Sequence, residues 1–152
     1  MADDPWLSDE QQRVWRTYLA LRAALDERIE RGLQQAAGMP HAYYLVMAML
    51  SEAPSRTLRM TQLARVAQMS QSRLSHAVSR LEEAGWVRRE PAQDDRRGQL
   101  ASLTAEGFDQ LVAAAPSHAE TVRASMFDPL SGEQLRAFGE ICSLLLTRMI
   151  RD

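Results

Sequence analysis

A single cysteine among 152 residues leaves no partner for an internal disulfide, which suits a reducing compartment. Long apolar runs are missing too, so no transmembrane helix is expected. The opening residues, Met1-Ala2-Asp3-Asp4-Pro5, are acidic and precede no apolar segment. No secretion signal is therefore expected, and the location is read as cytoplasmic with no membrane partner. Catalytic machinery is equally scarce. There is no glycine-rich phosphate loop. Ser70, Ser72 and Ser75 put hydroxyls near His76, but on one short helix face with no third group to orient a base. Glu82-Glu83 and Asp94-Asp95 are sequence neighbours, whose side chains splay on a helix. His41, His76 and His118 are scattered and make no metal-ligand cluster. The expectation is a protein that is not an enzyme and holds no cofactor and no metal.

What is present concentrates in 60–104. Ser70 is placed to cap a helix that Gly85 would end with a positive φ. Between them Leu74, Ala77, Val78 and Leu81 recur at i, i+3, i+4 and i+7, one apolar stripe. The other face carries Gln71, Ser72, Arg73, Ser75, His76, Ser79 and Arg80. A major groove admits such a helix, and Arg or Gln pairs bidentately with guanine or adenine edges. Upstream, Thr61 is placed to cap a short helix with apolar positions Leu63, Val66 and Ala67. Ala64 there is small enough for close approach, and Gln68-Met69-Ser70 supplies the turn of a helix-turn-helix. Downstream, Trp86 to Glu90 is rich in strand formers, Pro91 and the polar run 92–98 break it, and Leu100-Ala101-Ser102-Leu103 alternates as a returning strand. The connecting loop holds Asp94, Asp95, Arg96 and Arg97, and an arginine at a hairpin tip fits a narrow minor groove.

Charge follows the same division. The chain carries −2, but 54–100 has nine arginines against five acids, a net +4, leaving −6 for the remainder. Positive charge thus lies where phosphate contacts would be made. Arg56, Thr57 and Arg59 are expected at phosphates. Gln71, Ser72, Arg73, Ser75 and His76 are expected to choose bases, while Arg80 suits either task.

The flanks read as helices. Ser8-Asp9-Glu10-Gln11 is a capping-box pattern opening a long amphipathic helix to about Ala37, stopped by Gly38-Met39-Pro40. A second helix covers His41 to Glu52, and Ala53-Pro54-Ser55-Arg56 is read as a loop. Thr104 caps a fifth helix, which Pro116 is expected to kink or break. After a turn at Asp128-Pro129-Leu130, Ser131-Gly132-Glu133-Gln134 opens a last helix to about Arg151. Its stripe of Leu135, Phe138, Ile141, Leu145 and Met149 is widened by Cys142, Leu144, Leu146 and Ile150. That much apolar surface asks for more cover than a small monomer offers, so a homodimer formed by the first and last two helices is expected. Two-fold symmetry would set two recognition helices about one DNA turn apart.

The segments Leu58-Arg59-Met60-Thr61-Gln62-Leu63-Ala64, Ser70 to His76, Leu81-Glu82-Glu83-Ala84-Gly85-Trp86-Val87-Arg88-Arg89, Asp95-Arg96-Arg97 and Leu103-Thr104-Ala105-Glu106-Gly107 together resemble the MarR family of bacterial transcriptional regulators. The resemblance implies a mainly α fold with a small β wing: a winged helix-turn-helix at 38–104, flanked by a helical dimerisation region at 1–37 and 105–152. It implies a homodimer on a pseudopalindromic double-stranded operator, usually as a repressor. The wing motif Asp-x-Arg falls on Asp95 and Arg97, with Arg97 entering the minor groove and Asp95 orienting it; the motif assigns no role to Arg96, which could equally contact a phosphate. Family effectors sit near the first two helices, which points to Trp15, Tyr18, Leu19, Arg22, His41, Tyr43, Tyr44 and Met47 as a possible pocket for a small aromatic molecule, or simply as core. The thiol-sensing branch has its cysteine near the start of the first helix, where 6–18 has none. Cys142 is therefore expected to be buried and inert. The competing function is a winged-helix protein-interaction module that binds no operator.

Overall fold

Local capping signals set the helix ends in the computed structural model, which describes residues 5–92 and 98–151. Helix α1 runs Asp9–Ala37. Its start is a reciprocal box: the Gln11 N–H donates to Ser8 Oγ at 3.2 Å and the Ser8 N–H to Gln11 Oε1 at 3.0 Å. Gly38, at φ +60°, ends it. Helix α2 spans His41–Glu52. A short 3-10 turn, Pro54–Arg56, leads into strand β1, Thr57–Arg59. Helices α3, Met60–Val66, and α4, Gln71–Glu83, follow, then strands β2, Val87–Pro91, and β3, Gln99–Leu103. Helix α5 is Ala105–Val122 and continues into a π-turn, Arg123–Phe127, before α6, Gly132–Arg151. The box opening α6 repeats the first: Gln134 N–H to Ser131 Oγ at 3.2 Å and Ser131 N–H to Gln134 Oε1 at 2.9 Å.

The chain divides into two compact units, Met1–Arg28 with Ala119–Asp152, and Ile29–His118. The second holds a conventional core. Leu33, Met39, Val46, Met47, Leu50, Leu63, Leu74, Val78 and Leu81 are almost wholly shielded. The sheet has the order β1-β3-β2, antiparallel throughout, with Leu58 opposite Ala101 and Arg89 also opposite Ala101 on the other side. In the first unit the large apolar side chains point outward instead. Val14, Trp15, Tyr18 and Leu21 on α1, and Leu135, Ile141, Leu144, Leu145, Leu146, Met149 and Ile150 on α6, are all exposed in the single chain.

Several expectations fail at identifiable points. The expected loop at 53–56 contains a 3-10 turn, and the residues after it, 57–59, form a strand for which no expectation was made, because β3 supplies a ladder that so short a segment cannot advertise alone. The cap of α3 is Arg59, whose N–H donates to Gln62 Oε1 at 3.4 Å, and Thr61 lies inside the helix. Val66 is exposed while Ala64 is buried, since α3 turns its small residue toward α4. Pro116 does not break α5. The hydrogen bond it forfeits is the one to Val112, and both residues face solvent, where water can take the orphaned carbonyl. Beyond it, His118 is held by a stack on Tyr44. Cys142 is exposed, not buried, because none of the described residues covers that face of α6.

Candidate nucleic-acid interface

Helix α4 is fixed from beneath. Leu74, Ala77, Val78 and Leu81 are at most 2% exposed, and they seat α4 on α2, α3 and the sheet. Burying a side chain of this size contributes about 1.5–3 kcal/mol, so the face opposite is set by packing rather than by its own residues. Ser70 Oγ accepts the Arg73 N–H at 3.2 Å, which satisfies one orphan donor of the first turn. The turn before it uses Gln68 at φ +52°, with the Met69 N–H donating to the Ala64 carbonyl at 2.9 Å.

The stripe fixes what is left outside. Gln71, Ser72, Arg73, Ser75, His76 and Arg80 are all exposed, as is the capping Ser70. Gln71 and Ser75 join Arg59, Met60, Thr61, Gly98 and Gln99 around an open cleft of about 440 Å³. The residues expected at bases therefore share a surface with one of those expected at phosphates. The other two also make contacts within the chain. The Arg56 guanidinium lies 3.7 Å over the Phe108 ring of α5. Thr57 Oγ1 donates to the Ser55 carbonyl at 3.0 Å and sits 2.8 Å from Ser102 Oγ. Asp95, Arg96 and Arg97 lie outside the described residues.

Beneath the wing, Gly85 at φ +78° lets the chain reverse from α4 into β2. Thr104 bolts this corner to α5: its Oγ1 donates to the Gly85 carbonyl at 2.8 Å and accepts the Gly107 N–H at 3.0 Å, while its own N–H donates to the Trp86 carbonyl at 3.0 Å. Ion pairs visible at this end escaped the sequence reading. Arg80 meets Glu83 and Arg88 meets Glu90, each at 2.8 Å, and Arg89 meets Glu82. The hydrogen bonds from Arg89 hold the Glu82 carboxyl below the usual carboxylate range. Glu82 lies in the last turn of one helix and Arg89 in the strand beyond it, so no single helical or strand periodicity relates the two side chains.

The effector candidates fall in both units. In the first, Trp15 stacks on Tyr18 with ring centroids 5.8 Å apart, both about half exposed, and Arg22 is exposed on the same helix. In the second, Met47 and Tyr44 are buried, and Tyr44 stacks on His118 at 4.2 Å with His41 at 5.7 Å from that imidazole. Burial, then the His41 charge, pushes His118 below its ordinary value, and burial raises the Tyr44 hydroxyl. His118 was not singled out for this cluster, because only the fold brings it beside α2. Among the described residues no group of three or more His, Cys, Asp or Glu is placed to hold a metal, and no helix is long and apolar enough to cross a membrane.

A polar-faced helix, seated through a tight turn on a neighbouring helix and backed by a small antiparallel sheet, defines the winged helix-turn-helix class. Within that class, the chain belongs to the MarR family of transcriptional regulators: the family's model matches residues 37–98, and full-length relatives agree over nearly all of it. Sco3205, a MarR family transcriptional regulator from Streptomyces coelicolor whose structure is in complex with DNA, is 48% identical and superposes with a TM-score of 0.89, covering 94% of this chain and 90% of that one. AbsC, a MarR family regulator from the same organism, is 34% identical with a TM-score of 0.88, covering 98% and 100%. The HTH-type transcriptional regulator PapX of Escherichia coli is 27% identical over 116 residues, 70% of this chain and 71% of PapX.

Proposed function

We propose that this protein is a sequence-specific DNA-binding repressor that grips a pseudopalindromic operator as a homodimer. The observation that carries the reading is the division of α4: four buried apolar residues lock the helix, and every residue suited to base contact is left exposed on it. That Sco3205, at 48% identity, is in complex with DNA supports DNA binding by this chain. Gln71, Ser72, Arg73, Ser75 and His76 choose bases, and Arg80 contributes from the far end of the helix. Arg59, Arg56 and Thr57 contact phosphates, with Arg59 placed beside the base-reading cleft. In the wing, Arg97 enters the minor groove, oriented by Asp95, and Arg96 takes a phosphate.

The homodimer rests on α1 and α6, where a row of large apolar side chains is uncovered in one chain. Monomeric proteins seldom expose apolar patches of that extent. Release by a small aromatic effector rests on the stacked, half-exposed Trp15–Tyr18 pair with Arg22 a turn further along α1. Cytoplasmic action follows from a DNA target.

The test is fluorescence anisotropy of the purified protein with a duplex of its own upstream intergenic region and an unrelated duplex of equal length, across a salt series. Preference for the upstream duplex is expected, and Arg73→Ala is expected to cost about 1–3 kcal/mol of that preference while the fold persists. Unchanged DNA binding in both Arg73→Ala and Arg97→Ala would overturn the groove-reading assignment, and no binding of either duplex by the wild type would favour the protein-interaction module.

A further inference from the structure

Glu82 stands on the reading helix in a place that neither helix nor DNA favours. It lies in the last turn of α4, where the helix dipole disfavours an anion. It also belongs to the segment whose positive charge faces phosphate. Two other arginine–acid pairs of this segment are single contacts between well-exposed side chains within one element, Arg80 with Glu83 and Arg88 with Glu90, and such pairs contribute little. Glu82 is held differently. Its carboxylate accepts three N–H groups from one residue across the turn: the Arg89 backbone N–H at 3.2 Å, Nε at 2.8 Å and a terminal guanidinium nitrogen at 2.5 Å. Both guanidinium bonds converge on Oε2 and the backbone N–H takes Oε1, so the two carboxylate oxygens are held by the side chain and the main chain of one residue. The backbone bond matters separately. Strand β2 is an edge strand, so the Arg89 N–H that points away from β3 has no ladder partner, and Glu82 supplies one. The two side chains are only 36% and 28% exposed.

We propose that Glu82 is a positioning residue for DNA reading: through Arg89 it fixes the angle between α4 and the β2–β3 hairpin, so that helix and wing meet one site together. This rests on the DNA-reading function above. It assigns Arg89 to the clamp and not to a phosphate. It also inverts the simple electrostatic expectation, under which removing an acid from a DNA-facing segment strengthens binding everywhere.

The experiment compares wild type, Glu82→Gln and Arg89→Lys in full-length protein, by anisotropy against the upstream duplex and the unrelated duplex, with thermal unfolding of each. Glu82→Gln keeps the size and one acceptor oxygen; Arg89→Lys keeps the charge but loses the joint donation from Nε and the terminal nitrogen. Both variants are expected to lose about tenfold of the preference for the upstream duplex, the scale of coupling between neighbouring groups. Affinity for unrelated DNA and the salt slope are expected to stay at wild-type values. Tighter or unchanged binding of both duplexes by Glu82→Gln overturns the proposal, and so does full preference in Arg89→Lys, which is what a plain phosphate contact would give. A wild type without preference removes the DNA-reading function itself, an outcome distinct from variants failing against a discriminating wild type.

Discussion

Replacing Gly107 by alanine isolates the corner that joins α4, β2 and α5. In an open helix interior this substitution adds about 1 kcal/mol of stability. At Gly107 a Cβ would stand 2.1 Å from the Trp86 carbonyl oxygen, 2.8 Å from its carbon and 2.9 Å from Leu103 Cδ1, against 3.4 Å for ordinary contact. Two of the three obstacles are backbone, so α5 itself must retreat by more than an ångström. Retreat stretches the bonds of Thr104 to Gly85 and Trp86. Overpacking costs about 1–3 kcal/mol, and each of two weakened hydrogen bonds about 1 kcal/mol. After the propensity gain, the net loss is about 3 kcal/mol, or about 6–12 °C in Tm for a chain of this size. Circular dichroism melts of Gly107→Ala and wild type at one protein concentration measure it. An equal or higher Tm for the variant would refute the reasoning, because it would mean that the contact relaxes without cost.

Two further outcomes follow from the same geometry. His118 is held below its ordinary pKa by burial and by His41, so the unfolded chain takes up that proton first. Its contribution is full above the ordinary histidine range and is lost as pH falls through it. Wild type should therefore lose more Tm than His118→Asn between about pH 7.5 and about pH 5.5, and parallel slopes would remove His118 as the cause. Leu145→Asp, on the uncovered face of α6, should halve the mass seen by sedimentation equilibrium; a wild-type chain already at monomer mass would sink the dimer.

What could be read in advance depended on how far apart the deciding residues lie. Both Ser/Gln capping boxes, the Ser70 cap, the Gly38 and Gly85 stops and the α4 stripe are settled within a few residues, and all appear as expected. Strand β1 exists only because β3, some forty residues later, lies alongside it. The Tyr44–His118 stack and the Glu82–Arg89 clamp likewise need the folded chain. Cys142 was misplaced for the opposite reason: an apolar stripe says that a face wants cover, not that its own chain provides it. The exposed polar face of α4 was legible because burial of one side of a short helix dictates the other.

That partition also bears on how such a regulator changes over generations. On α4, the residues that keep the protein folded and those proposed to meet bases have no member in common. Substitutions at Gln71, Ser72, Arg73, Ser75 or His76 leave the hydrophobic seat intact, so a duplicated copy can drift toward a new binding sequence without first passing through an unstable intermediate. Thirteen residues thus hold two separately editable records, one of shape and one of address.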